Sequence, residues 1–479
     1  MSTSAARTLS VPRATALYVG ALFGPGLLLL PGLAAQQAGP ASIIAWVALL
    51  GLSAAFAAVF AALGRALPNA AGAAGYTAAG LGRRAAAVTR WWFLAGVVVG
   101  APIVCLIGAS YVTAVTGGGP LLRAAVAAGL LLVVLGLALG GVRASALAQL
   151  LLVALLIAVV VTAVAGSAPA ARAASWTPFA PHGWLSIGRA AATLMLSFVG
   201  WEAVAPLTAR LRPGQLSRVI GIAFGVTTLL YLALAVATVS CLGRGSDLSV
   251  PLADLLQLAV GPAGRVVAAV AALVLTAGAA NAYLSGAAEM VRELTAVPSR
   301  RGPNELRHPP RFSPRVFLGV VAVTGLILLG LSALRLADIV ALVSVPTAMF
   351  LCVYLSCLGS AARILPGKIR AVAAAGTLAV LAVLAFSGWP ALLAAAVVAA
   401  IAAVADRGRL PASGPTLGRA EQRGWARGDD SYRRRQRRGP VRGAAAGPDR
   451  ARRSGDRAGP AGSRTAARRV RRPASRRGG

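Results

Sequence analysis

Apolar residues fill this chain in long blocks, and polar residues come in short bursts between them. About 20 apolar residues in a row is the length a helix needs to cross the hydrocarbon core of a bilayer. By that measure the sequence predicts twelve spans, near residues 15–36, 41–64, 91–115, 121–141, 144–165, 187–208, 217–242, 263–288, 314–333, 336–360, 370–387 and 389–405. An even number of crossings puts both termini on one side. Arg7 and Arg13 ahead of an apolar run reaching Leu33, Ala34 and Ala35 have the outline of a cleaved leader. The Gly-Pro-Gly interruption of that run, and the close succession of further blocks, favour a first span instead.

Two of the blocks are interrupted. In FGPGLLLLPG, residues 23–32, the order Phe23, Gly24, Pro25, Gly26 is a poor way to continue a helix. Proline lacks a backbone donor, and glycine costs a helix interior about 1 kcal/mol relative to alanine. Backbone left unpaired at membrane depth survives only where protein buries it or a polar cavity meets it. Taken alone, the stretch is either a kink without a ligand or a binding site. SFVGWEAVAP, residues 197–206 of the sixth span, repeats the oddity: Gly200 precedes Pro206 by six residues, as Gly26 precedes Pro31 by five. Interrupted segments at matching places in two halves point to a transporter built from inverted repeats. Spans one to five and six to ten are the repeats. Five is odd, so the second repeat starts from the opposite side. The fold class expected is an all-α integral membrane protein: twelve transmembrane helices over residues 1–405, as a five-plus-five inverted repeat with two extra C-terminal helices.

Composition sharpens this picture. Charged residues make up 13% and hydrophobic ones 57%, with mean hydropathy +0.75; soluble domains carry about 25% charge. A net charge of +34 would ordinarily suggest a nucleic-acid partner, but the arginines are confined to loops and a tail, so none is expected. Outside that tail, an N-in orientation places 19 basic residues inside and six outside, namely Arg123, Arg172, Arg189, Arg244, Arg265 and Arg335. The positive-inside rule therefore gives N-in and C-in, in the cell membrane. Residues 406–479 hold 22 arginines against six acidic residues, without aliphatic periodicity, and read as a disordered cytoplasmic tail. Three readings of the tail stand: attraction to anionic headgroups, a solvated extension, or a GC-rich gene read past its stop or out of frame. A single lysine, Lys368, against 46 arginines fits the high GC content.

The chemistry follows from what helix breaks expose. A half-helix N-terminus presents free amides and positive dipole to a carboxylate; a half-helix C-terminus presents carbonyls to an ammonium. A small molecule carrying both is an α-amino acid. The interiors of spans one, three and eight hold no charged residue, which argues for a neutral or hydrophobic side chain on it. Glu202 is the one acidic residue near mid-span. A carboxylate there costs at least about 2.5–3.5 kcal/mol, so it is either a proton-sensitive gate or amine partner, or a structural group bonded across helices. Trp201 and Phe198 either close over the substrate or pack. Trp91 and Trp92, beside Arg90, read as interfacial anchors. Cys105, Cys241, Cys352 and Cys357 read as small buried residues, and His182 and His308 lie far apart in loops, so no metal or other cofactor is expected. Neither a GxxxxGK[ST] nucleotide loop nor an HExxH or GxSxG cluster occurs, which argues against an ATP-driven pump and against an enzyme.

Five segments carry a family resemblance: GALFGPGLLLLPG at residues 20–32, GPASIIAWVALLG at 39–51, LGRALPNAAGAAGY at 63–76, SFVGWEAVAP at 197–206 and NAYLSGAAEMVREL at 281–294. In this order they resemble the amino acid-polyamine-organocation superfamily, with its LeuT-like fold, and within it bacterial exporters of neutral, branched-chain amino acids and methionine. The likeness implies alternating-access transport, with Gly24 and Gly26 donating amides to the substrate carboxylate. Phe23, Pro25 and Trp201 are expected beside the substrate, and the carbonyls around Ser197, Phe198, Val199 and Gly200 are expected to take the amine. It further implies that Glu202 senses protons, and that the partners are a small amino acid, the bilayer and protons. Ala62 and Glu289 stand where many relatives have an acidic residue and an arginine, and the fifth span lacks the lysine that replaces sodium in some. Thr276 and Ser285 are the span-eight hydroxyls available to a sodium ion. Import or exchange by the same superfamily, or amino-acid sensing without transport, remain as alternatives.

Overall fold

A computed structural model describes residues 10–22, 26–67, 72–141, 146–201, 211, 214–243, 248–295 and 313–407. Among these residues all regular structure is helical. The first half contains α1 (Val11–Leu22), α2 (Gly26–Ala38), α3 (Ser42–Ala66), α4 (Gly72–Leu81), α5 (Arg83–Thr116), α6 (Pro120–Leu139) and α7 (Ala146–Ser167). The second contains α8 (Leu185–Leu194), α9 (Gln215–Ala237, continued by a π turn to Leu242), α10 (Pro251–Val260), α11 (Ala263–Thr295), α12 (Pro314–Ala333) and α13 (Ile339–Ile364). Two further helices follow, α14 (Gly367–Ala385) and α15 (Trp389–Arg407).

Local chemistry sets several of these boundaries. Pro120, Pro251 and Pro314 occupy first-turn positions, where the missing N–H costs nothing. Asp338 caps α13 by accepting from the Ala341 amide at 2.6 Å, and Gly117 ends α5 in the left-handed conformation at φ 71°.

Nine helical stretches among the described residues are long and apolar enough to cross a membrane; residues 185–198, 251–260 and 389–405 form shorter apolar helices. Aliphatic side chains such as Leu132, Leu151, Val323 and Leu378 point outward with more than half their surface exposed, as lipid-facing positions require. Two elements depart from expectation. The segment after the second span, expected as loop, forms the helix α4, and α10 stands between the seventh and eighth spans. Trp92 also has a packing role, donating its indole N–H to the Ala395 carbonyl at 2.9 Å and tying α5 to α15.

The helices repeat in length and in partner. After the first interrupted span, α1 and α2, come helices of 25, 10, 34, 20 and 22 residues (α3 to α7); after the second come 23, 10, 33, 20 and 26 (α9 to α13). The partnering is reciprocal: α4 packs on α13 while α10 packs on α7, and the two long helices, α5 and α11, pack on each other.

Candidate functional site

The two interrupted spans meet. α1 stops at Leu22 and α2 starts at Gly26; Phe23, Gly24 and Pro25 lie outside the described residues, as does Glu202. In the sixth span the break itself is visible. α8 tightens into a 3₁₀ turn, Met195–Phe198, then Val199 turns extended (φ −74°, ψ 135°) and Gly200 takes φ 137°. Side chains other than glycine avoid that value, so the sequence ends the helix there by design of its residue types.

α2 packs along α8, and its first turn faces this break. A Cβ added to Gly26 would lie 2.8 Å from Ser197 Oγ and 3.3 Å from Ser197 Cα, so any side chain there would have to displace Ser197. Gly26 and Val199 line one cavity together with Gly96 and Gly100 of α5, Tyr283 of α11 and Phe350 of α13. Its volume is ≈ 50 Å³, and none of the described residues lining it is charged. A water needs about 10–15 Å³ by the same measure, so the space takes a few small groups. The opening amides of α2, four of which lack partners within any helix, begin at this cavity's wall. Beside them the Ser197 hydroxyl is buried and has no hydrogen-bond partner in the structure.

Three buried tyrosines hold the broken backbone. Tyr231 of α9 places its hydroxyl 2.9 Å from the Leu22 carbonyl and 2.7 Å from the Ser197 carbonyl, joining the two breaks through one oxygen. Tyr354 of α13 accepts from the Gly200 amide at 2.8 Å, with its hydroxyl 3.4 Å from the Phe198 carbonyl. Tyr111 of α5 donates to the Leu28 carbonyl at 2.5 Å. Sequence reading passed over all three, although a tyrosine in the middle of an aliphatic span is itself a signal, since its hydroxyl must find a partner. Gln37 of α2 adds a side-chain tie to Thr193 of α8 at 3.0 Å.

The expected aromatic residues sit in packing positions. Phe198 is buried against Trp46 and Tyr231, with ring centroids 6.0 and 5.4 Å away. Trp201 is fully buried and donates to Ser53 Oγ at 3.0 Å. Thr276 turns its hydroxyl back to the Ala272 carbonyl at 2.7 Å, and Glu289 pairs with Arg292 at 2.6 Å on a half-exposed helix face. An exposed pair of this kind adds little stability.

A family profile described as amino acid permease matches residues 9–405. The chain is 31% identical over 365 residues to an uncharacterized amino acid permease of Bacillus subtilis (strain 168), covering 75% of this chain and 85% of that protein. It is 26% identical over 392 residues to the L-methionine/branched-chain amino acid exporter of Escherichia coli (strain K12), covering 77% and 89%. It is 28% identical over 254 residues to the methylthioribose transporter of Bacillus subtilis (strain 168), covering 49% and 55%.

Proposed function

We propose that this chain, which belongs to the amino acid permease family, is a secondary transporter that moves neutral or hydrophobic L-amino acids by alternating access. The observation that carries the reading is the convergence of two interrupted spans, at Gly26 and at residues 197–200, on one uncharged cavity. In this reading the first-turn amides of α2, with those of Gly24, hold the substrate carboxylate, aided by the free Ser197 hydroxyl. The ammonium meets carbonyls at the sixth-span break. Ser197 and Phe198 carbonyls already face tyrosine hydroxyls, and each carbonyl oxygen keeps a second lone pair for the amine.

The architecture proposed is twelve spans, with residues 1–405 as the transporter domain and 406–479 as a cytoplasmic tail, N-in and C-in. The apolar stretch 26–66 is long enough for the first two spans, residues 185–198 fall in the sixth and 389–405 in the twelfth, and the family match ends at residue 405. The matching helix lengths and the reciprocal packing of α4 on α13 and α10 on α7 support a five-plus-five inverted repeat. Export of methionine and branched-chain amino acids is favoured by similarity to the exporter, and proton-linked exchange by Glu202 near mid-span. No nucleotide drives the cycle in this proposal, and the chain is not an enzyme.

Similarity to the methylthioribose transporter supports a second reading, uptake of another small neutral solute. Counterflow of radiolabelled methionine, leucine and alanine into proteoliposomes, with and without a pH gradient, tests the first. Transport of none of them would leave the second reading or a sensor; methylthioribose counterflow in the same vesicles separates those two.

A further inference from the structure

Two of the six basic residues on the arginine-poor side, Arg123 and Arg265, line a single cleft of ≈ 820 Å³. The cleft lies where four spans end or begin: the last turns of α5, the first turn of α6, the π turn after α9 and the start of α11. Span ends mark the level at which hydrocarbon gives way to headgroups. Arg265 is already neutralised, its Nη2 lying 2.8 Å from Asp254 Oδ1. Arg123 is not. Among the described residues its side chain has no hydrogen-bond or ion-pair partner, and its Nε, like that of Arg265, is shielded from solvent and unpartnered. Leaving such a donor without an acceptor is unfavourable, so Arg123 offers the cleft a guanidinium that an anion would satisfy.

The surroundings specify which anion. Aliphatic side chains next to the two arginines, or on the cleft wall, are held out of the protein: Leu122 is 42% exposed, Leu258 47% and Val266 50%. A soluble anion gains nothing from them, whereas a lipid tail does. Guanidinium is the side chain best suited to a phosphate, which it binds through two parallel N–H bonds. We infer that the cleft is a binding site for an anionic phospholipid, its phosphate on the Arg123 guanidinium and its acyl chains along Leu122, Leu258 and Val266. Gln257 and the Asp254–Arg265 pair bound the headgroup. This assignment stands apart from the substrate cavity, in which none of these residues takes part.

The test uses the full chain in nanodiscs containing phosphatidylcholine and phosphatidylglycerol, with native mass spectrometry counting retained lipids. Wild type is expected to keep at least one phosphatidylglycerol in preference to phosphatidylcholine. Arg123→Gln should lower that retention at least tenfold, Arg123→Lys should lower it less, and Arg335→Gln, at an exposed arginine outside the cleft, should leave it unchanged. Equal retention by wild type and Arg123→Gln overturns the proposal. So does retention of phosphatidylcholine as good as that of phosphatidylglycerol, or displacement of the lipid by millimolar inorganic phosphate or methionine, which would make this a solute site. If Arg123→Gln does not purify as a monodisperse protein, Arg123→Lys and the wild-type lipid preference decide the matter.

Discussion

Gly26 and Ser197, 171 positions apart, approach so closely that a methyl group on the first would meet the hydroxyl of the second at 2.8 Å. The same hydroxyl is buried without a partner. One contact thus contains a steric condition for the two interrupted spans to meet and a polar group left open for a ligand. The two roles separate by mutation. Gly26→Ala is expected to abolish counterflow while leaving membrane insertion intact, because Ser197 Cα and Leu30 Cδ1, at 3.3 and 3.0 Å, also stand in the way. Ser197→Ala removes no packing atom that Gly26 needs. It is expected to weaken substrate binding by about 1–2 kcal/mol, roughly five- to thirtyfold, if the hydroxyl bonds the carboxylate. Unchanged affinity in Ser197→Ala, read by isothermal titration with methionine or leucine, assigns the hydroxyl no part in binding.

Gly200 supplies a backbone prediction. Its φ of 137° belongs to a region that a Cβ makes costly, and its amide donates to Tyr354 at 2.8 Å. Gly200→Ala is expected to cost about 1–3 kcal/mol and to lower the thermal midpoint by several degrees, with transport lost in parallel. A variant with wild-type stability and transport would mean that the sixth-span break relaxes at no cost.

What the sequence made legible here were the interruptions. Glycine and proline act through their own backbone chemistry, so residues 24–26 and 197–206 could be picked out without knowing any partner, and the structure brings Gly26 to Ser197. The helices α4 and α10 escaped because each is only 10 residues long, too short for its periodicity to stand out beside spans twice that length. Tyr231, Tyr354 and Tyr111 escaped for a different reason. Their acceptors are backbone carbonyls far away in sequence, and a carbonyl that takes an extra donor leaves no mark in the residue that bears it. The bond from Trp92 to Ala395, 303 positions on, was hidden in the same way.

Glu202 lies outside the described residues, so its prediction rests on sequence. A carboxylate near mid-span is costly to keep there and is a candidate proton acceptor. Transport that depends on its proton should vary with pH. Glu202→Gln, fixed in the neutral form, is expected to flatten the pH profile of counterflow without abolishing it. A profile that keeps its wild-type shape returns Glu202 to a structural role.

Tyr231 bears on the coupling ion. Interrupted helices commonly present freed carbonyls to a sodium ion, and among the described residues the carbonyls of Leu22 and Ser197 flank the two breaks. The Tyr231 hydroxyl occupies the point between these two, at 2.9 and 2.7 Å, and so keeps a cation from bridging them. Its ring is held there by Trp46 and Phe198, with centroids 5.3 and 5.4 Å away, so vacating the position would disrupt an aromatic cluster as well as two hydrogen-bond contacts. Transport should therefore run equally well when sodium is replaced by choline at constant pH. Tyr231→Phe removes the bridging oxygen and its single O–H, leaving a buried carbonyl short of a donor, at a cost of about 1–3 kcal/mol. That variant is expected to lose at least tenfold in counterflow rate, with the loss independent of sodium. A wild-type rate that falls tenfold in choline would put a cation at these carbonyls and remove the tyrosine from that position in the working cycle.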